Sequence, residues 1–240
     1  MIDFPNTLDL AIAQACEATT AALADGYKRL QVELVFSELK AMPIAEQFLD
    51  IFADYGSHLK VYFPDAGAAA LARRDWGPMA FEIRGIGELK GRIQPDDQIF
   101  LLVEPSAVEV GEVEKLCEEV GDRPVVLLNP RLEEVATIGI GYAGRQLRER
   151  FLNTFESCYY LRPLEGAALL RAYPSPWQVW LEKSIEDRNE YQVIAELPTK
   201  PVGDDLDQLL AQAMTPSAST QPSQPGLFKG LERFLKALNQ

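Results

Sequence analysis

Two uninterrupted apolar runs, Ile99–Val103 (IFLLV) and Val125–Leu128 (VVLL), bracket a segment, Val110–Val120, whose apolar residues recur at helical spacing. No other feature restricts the fold as much. A strand without polar alternation must be buried on both faces. Two such strands joined through an amphipathic helix and a Gly121-Asp122 turn form a parallel βαβ crossover, the repeating unit of layered α/β folds.

The segments before this unit fit the same class. Leu8, Ile12, Ala15, Thr19 and Leu23 predict a first helix that begins at an Asn6 or Thr7 cap and stops at Gly26. Leu30–Phe36 alternates apolar and polar residues and predicts a strand with one face more buried than the other. A second helix places Pro43 near its N1 position and carries Ile44, Ala45, Phe48, Leu49 and Phe52 as its apolar stripe before Gly56. Leu59–Phe63 is a short apolar strand; Pro64-Asp65-Ala66-Gly67 then turns into an Ala-rich helix, Ala68–Arg74, with Asp65 suited to cap it.

After Asn129-Pro130 the spacing predicts a helix over about Ala143–Glu156, then strands at Cys158–Leu161 and Ala167–Tyr173 separated by Pro163. A hairpin of Trp177–Glu182 with Tyr191–Leu197, joined across Glu186–Asn189, follows. The expected fold is therefore α/β: a Rossmann-like, mostly parallel central sheet flanked by helices, with antiparallel strands in the C-terminal half. Residues 1–201 form the α/β domain, 202–214 a short acidic helix (Asp204–Met214), 215–225 (TPSASTQPSQP) a low-complexity linker, and 226–240 a tethered amphipathic helix. In that last helix Leu227, Leu231, Phe234, Leu235 and Leu238 recur on one face and Lys229, Glu232, Arg233 and Lys236 on the other, the segment is net basic on a chain of net charge −13, and Phe228, Leu231, Phe234, Leu235 and Leu238 are its candidate docking residues. A short amphipathic helix is marginal alone in water, so it needs a surface: the body of the protein, a partner's groove, or the lipid interface.

The acidity argues against nucleic acid as a partner, because counterion release from phosphate needs clustered Lys and Arg. Cys16, Cys117 and Cys158 lie far apart without C-x-x-C spacing and read as buried thiols of a reduced protein. No apolar run approaches the roughly 20 residues of a membrane span. The N-terminus has neither signal nor transit pattern, so a cytoplasmic protein is expected, peripheral at a membrane if the last helix docks there. The sole histidine, His58, is expected in an exposed loop, and no metal site or cofactor is predicted.

In open α/β sheets ligands sit beyond the carboxyl ends of the strands. Those ends offer Asp65 and Gly67, Glu104 and Ser106, and Asn129 and Arg131; Asp65 and Glu104 form a candidate carboxylate pair, although an Asp after a strand most often caps a helix. Gly139-Ile140-Gly141-Tyr142-Ala143-Gly144 matches G-x-G-x-x-G and precedes a helix, with Arg145 just beyond. It sits late in the chain and follows a poor strand, so a tight turn is the simpler explanation and an anion site the alternative. No catalytic residue is assigned.

The strings VELVFSELKAMPIAEQF, KVYFPDAGAAALARRDWG, LLNPRLEE, GIGYAGRQLRERFLNTFESCYYLRPL and PSPWQVWLE resemble an uncharacterised domain-of-unknown-function family of cyanobacteria and chloroplasts, over roughly residues 5–200. Plant proteins similar to it include the low photosystem II accumulation proteins, and a related domain is appended to a chloroplast adenylate kinase. The resemblance implies a non-enzymatic assembly or interaction factor at photosynthetic membranes, with photosystem or other thylakoid membrane proteins as partners and a role in photosystem II biogenesis. The alternative is a nucleotide- or phosphate-binding α/β protein or enzyme that uses the strand ends and the glycine-rich turn. The resemblance brings no functional residues with it.

Overall fold

The computed structural model describes residues 3–36, 38–88, 93–133, 142–185 and 188–214. In chain order the elements are α1 (Leu8–Ala24), β1 (Arg29–Leu34), α2 (Ala41–Phe48), a 3-10 segment (Leu49–His58), β2 (Leu59–Phe63), α3 (Ala66–Trp76), β3 (Glu82–Gly85), β4 (Ile99–Val103), α4 (Val110–Val120) and β5 (Val125–Leu128). Then come α5 (Tyr142–Arg150), β6 (Glu156–Leu164), β7 (Ala167–Ala172), β8 (Trp177–Ile185), β9 (Arg188–Leu197) and α6 (Asp204–Met214). All nine strands form one sheet in the order β3-β2-β4-β5-β1-β6-β7-β8-β9. It is parallel from β3 through β6 and antiparallel from β6 to β9, so β6 joins the two halves.

Alternation along the strands sorts side chains between two faces. On the first face Leu30, Val32, Leu34, Val61, Phe63, Leu101, Val103, Val126 and Leu128 meet α1, α2 and α3. The buried residues of helix α1 are small or compact (Ala11, Ile12, Ala15, Ala18, Thr19 and Ala22), which lets it lie close over β1 and β6, and Thr7 caps it by accepting from the Leu10 amide at 3.2 Å. On the second face Tyr62, Phe100, Leu102, Val125 and Leu127 meet Val113, Leu116, Cys117 and Val120 of α4 and Leu147 of α5. A third cluster, Tyr160, Leu169, Trp177 and Val179, is covered by Leu206, Leu209 and Leu210 of α6. Its strand residues alternate with first-face residues Tyr159, Leu161, Ala168 and Leu170, so α6 lies on the second face.

Several details depart from expectation. Strand β3 was not foreseen; it is an edge strand whose outward groups are answered by side chains, Arg73 donating to the Ile83 carbonyl at 2.6 Å and the Gly85 amide donating to Glu88 at 3.0 Å, which blunts the edge against pairing with another chain. Helix α5 stops at Arg150, not near Glu156, because from Glu156 the chain pairs with β1 as β6. Pro163 does not separate two strands but sits within β6 opposite Ala168. The β1 ladder ends at Leu34–Leu161, so Pro163 has a neighbour on one side only, where its missing N–H is tolerated. Pro43 is the third residue of α2, after a Lys40 cap, rather than its first. The hairpin strands run further than expected, to Ile185 and from Arg188.

The cysteines are free, with Cys117 and Cys158 buried and Cys16 partly so. Among the described residues no helix is long and apolar enough to cross a membrane. The linker and final helix expected over 215–240 lie outside the described residues.

Candidate functional site

The chain leaves β1 and β2 for helices on the first face but leaves β4 and β5 for helices on the second, so the neighbours β1 and β5 part in opposite directions at their carboxyl ends. Such a switch point opens a crevice that helices cannot fill, and ligands of open α/β sheets settle there. Here the crevice measures about 410 Å³ and is lined by Glu33 to Phe36 on one side and by Glu104 with Asn129 to Arg131 on the other. Two of its residues hold left-handed backbone, Glu104 (φ 49°) and Asn129 (φ 49°). That conformation is ordinary for Asn but costs a residue such as Glu about 1 kcal/mol. Asn129 ties the two strand ends together: its amide donates to the Val32 carbonyl and its Oδ1 accepts from the Leu34 amide, both at 2.7 Å.

The crevice runs into a larger cleft of about 710 Å³, with which it shares Glu33, Pro130 and Arg131. This cleft exists because the second face is covered in two blocks, by α4 and α5 over the parallel strands and by α6 over Tyr160 and β7 to β9, leaving the strip over β1 and the start of β6 without a helix among the described residues. The sequence of β1 matches that gap. Its first-face residues Leu30, Val32 and Leu34 are buried and apolar, whereas its second-face residues are Arg29, which donates to the Cys117 and Gly121 carbonyls at the end of α4, and then Gln31 and Glu33. A β-bulge in β6 then sets Ser157 opposite Gln31 and leaves Cys158 as the extra residue, placing the Ser157 side chain on the same floor.

The floor is polar and only partly satisfied. Glu33 accepts from the Gln31 amide nitrogen at 3.1 Å, and Ser157 Oγ is buried with no hydrogen-bond partner among the described residues. Burial pushes the Glu33 carboxyl above its usual range; Lys200 pulls it part of the way back and Glu133 adds to the rise. Beside them Arg171 is fully engaged, donating to the Ser157 and Ser175 carbonyls at 3.3 and 2.9 Å and to Glu156 at 2.6 Å. The walls are apolar: Leu132, Leu152 and Phe155 below α5, and Trp177 and Pro198 on the far side. At the rim the ammonium of Lys200 rests on the Tyr160 ring, 3.7 Å from its centroid, and 5.4 Å from that of Trp177. Apolar walls around a few convergent polar groups are the common anatomy of a small-molecule site.

The residues singled out from sequence fall in different places. Asp65 caps α3, its Oδ1 accepting from the Ala68 amide at 2.9 Å, and a Cβ on Gly67 would come within 3.0 Å of that same oxygen. Glu104 follows the strand next to that of Asp65, but its carboxylate is bound by Arg131 at 3.0 Å. Among the described residues no group of three or more acidic, His or Cys side chains is placed to hold a metal ion. Gly144 is buried inside α5 and Arg145 is exposed on it, while Gly139 and Gly141 lie outside the described residues, as do Phe228, Leu231, Phe234, Leu235 and Leu238. His58 is half-exposed, its Nδ1 2.8 Å from the Asp96 carbonyl oxygen. The structure thus unites Glu104 and Asn129 on one crevice. The floor residues Gln31, Glu33 and Ser157, and Lys200 at the rim, were missed. Their one signal was the polar alternation of β1 in a sheet whose neighbouring strands β4 and β5 are apolar throughout.

Residues 5–208, which run from just before α1 into α6 and include every residue lining the cleft, match the model of one family, and the protein therefore belongs to the family described as Domain of unknown function (DUF1995).

Proposed function

We propose that the protein binds a small polar molecule in the cleft over β1 and β6, with Glu33 as its anchor. The observation that carries this reading is the floor itself: on the central strand β1 a largely buried carboxylate meets only the Gln31 amide among the described residues and forms no salt bridge there. A largely buried carboxylate without a counter-charge costs stability, and a ligand cation set against it would offset that cost.

The test combines stability with binding. The raised Glu33 pKa means that the folded chain holds this proton more tightly than the unfolded chain does. Folding is therefore favoured most at pH below the ordinary carboxylate range, and that contribution is lost as pH rises through the raised value. Glu33→Gln, neutral at every pH and still able to accept from Gln31, is expected to stabilise the free protein at neutral pH by about 1 kcal/mol, roughly 2–4 °C in midpoint. The gain should shrink below about pH 4. In a thermal-shift screen of metabolites, the ligands that stabilise the wild type should lose their effect on Glu33→Gln. A panel in which no compound shifts the wild type, or in which every shift survives the substitution, contradicts the proposal.

A second reading draws on the C-terminal sequence and the family resemblance: an interaction factor at photosynthetic membranes, acting in photosystem II biogenesis and recruited through Phe228, Leu231, Phe234, Leu235 and Leu238. Its support is the amphipathic spacing and net basic charge of 226–240 on an acidic chain. Tagged full-length protein should then retain photosystem subunits from gently solubilised membranes, and protein lacking Gly226–Gln240 should not. Equal recovery with and without the tail contradicts it.

A further inference from the structure

The charged side chains lining the cleft sort into pairs and a remainder. Arg171 is held by Glu156, Arg131 by Glu104 and Glu133 by Arg148, at 2.6, 3.0 and 3.4 Å. Two ions remain, Glu33 on the floor and Lys200 on the rim, and among the described residues neither forms a salt bridge. Glu33 meets the Gln31 amide, and the Lys200 ammonium meets the ring faces of Tyr160 and Trp177. The two charges feel each other without touching, since Lys200 offsets part of the burial effect on Glu33.

The free hydrogen-bonding groups give a second constraint. A carboxylate only accepts, so the Gln31 group facing Glu33 is the NH₂, and Gln31 Oε1 is left as an acceptor for something else. Together with the two carboxylate oxygens of Glu33, it offers three acceptors to one ligand group. A primary ammonium has three donors. A ligand with a cation alone would leave Lys200 unanswered, and one with an anion alone would bring its charge toward the Glu33 carboxylate. A ligand with both resolves both.

Resting on the cleft being the ligand site, we infer that its ligand is a small zwitterion: an ammonium set on Glu33 and Gln31, a carboxylate on Lys200, and an apolar body between Phe155 and Trp177. Free amino acids are the simplest members of this class, and an aromatic one matches the walls best.

The test uses the full chain with L-phenylalanine and its two single-charge analogues, phenethylamine, which lacks the carboxylate, and 3-phenylpropionate, which lacks the amine. The common amino acids and a set of nucleotides and sugars are run beside them, with affinities read by titration calorimetry. Among these probes an amino acid should bind tightest, each single-charge analogue about tenfold or more weaker than its parent. Glu33→Gln and Lys200→Gln should each weaken the amino acid about tenfold or more. Lys200→Gln should leave phenethylamine as tight or tighter, and Glu33→Gln should do the same for 3-phenylpropionate. An unchanged unliganded melting midpoint for Lys200→Gln, an exposed position, separates lost binding from lost fold.

A single-charge analogue that binds as tightly as its parent overturns the zwitterion. So does a nucleotide or sugar whose binding depends on Glu33 while no amino acid binds, and in that case the cleft stands as a ligand site. Absence of binding by every probe overturns the ligand class and counts against the cleft as well.

Discussion

Replacing Lys60 by methionine is expected to cost about 3–5 kcal/mol, enough to lower the thermal midpoint by roughly 10 °C. Lys60 lies on β2 among otherwise apolar strand residues and is 6% exposed, while Asp97, one of its partners, is 3% exposed. Its ammonium contacts Asp97 Oδ1 and Glu82 Oε2, each at 3.2 Å. Glu82 is half-exposed and can turn to water, and Arg84 also holds it, pulling its carboxyl down to about 2. Asp97 has no such recourse. Without Lys60 it keeps the Gln94 amide at 2.7 Å but becomes a buried carboxylate with no counter-charge in contact among the described residues. Lys60→Met combined with Asp97→Asn should therefore recover most of the loss, because the second change removes the stranded charge. A double variant as unstable as the sum of the two single variants would show that the cost comes from lost stem packing instead.

Gly85→Ala is expected to destabilise by about 3 kcal/mol, the upper part of the range for overfilling a packed site. The glycine ends β3 where it crosses the turn leaving β2, and a Cβ there would lie 2.7 Å from both the Asp65 carbonyl carbon and the Ala66 nitrogen. These are backbone atoms that anchor the α3 cap, so no side chain can swing aside. Either β3 shifts from β2 or α3 loses its capped first turn. Chemical denaturation of the variant measures the cost, and amide exchange should show the loss of protection concentrated in β3 and the first turn of α3. Wild-type stability in the variant would mean that this crossing is looser than 2.7 Å implies.

How much of this was legible in the sequence depends on whether the signal was local. The crossover β4-α4-β5 was, because IFLLV and VVLL admit no half-exposed strand, and the expected helix bounds, Val110–Val120, are those of α4. Asp65 as a cap was also legible, since its role is completed three residues away. Strand β3 was not: Glu-Ile-Arg-Gly offers one apolar side chain, and its strand character comes from pairing with β2 rather than from its own residues. The end of α5 was misplaced for a related reason. Leu147, Phe151 and Phe155 keep helical spacing and all reach the second-face core, but Phe155 does so from the start of β6.

The cleft was the least visible part. Gln31 and Glu33 alternate with buried residues just as the outer face of a solvated strand would. Only the strand order reveals that β1 lies between β5 and β6, and only the placement of α5 and α6 reveals that no helix among the described residues covers it. Ser157 reaches the floor through a bulge, and Lys200 reaches the rim from a segment that sequence alone assigns to the domain's end.

Backbone amide chemical-shift mapping of the full-length protein, titrated with the tightest-binding compound of the metabolite panel, tests the ligand-site reading most directly. Perturbations centred on Gln31, Glu33, Ser157 and Lys200 that vanish in Glu33→Gln are the predicted result. Perturbations centred on Gly139–Arg145, or on Asp65 and Gly67, with the β1–β6 strip silent, would contradict it.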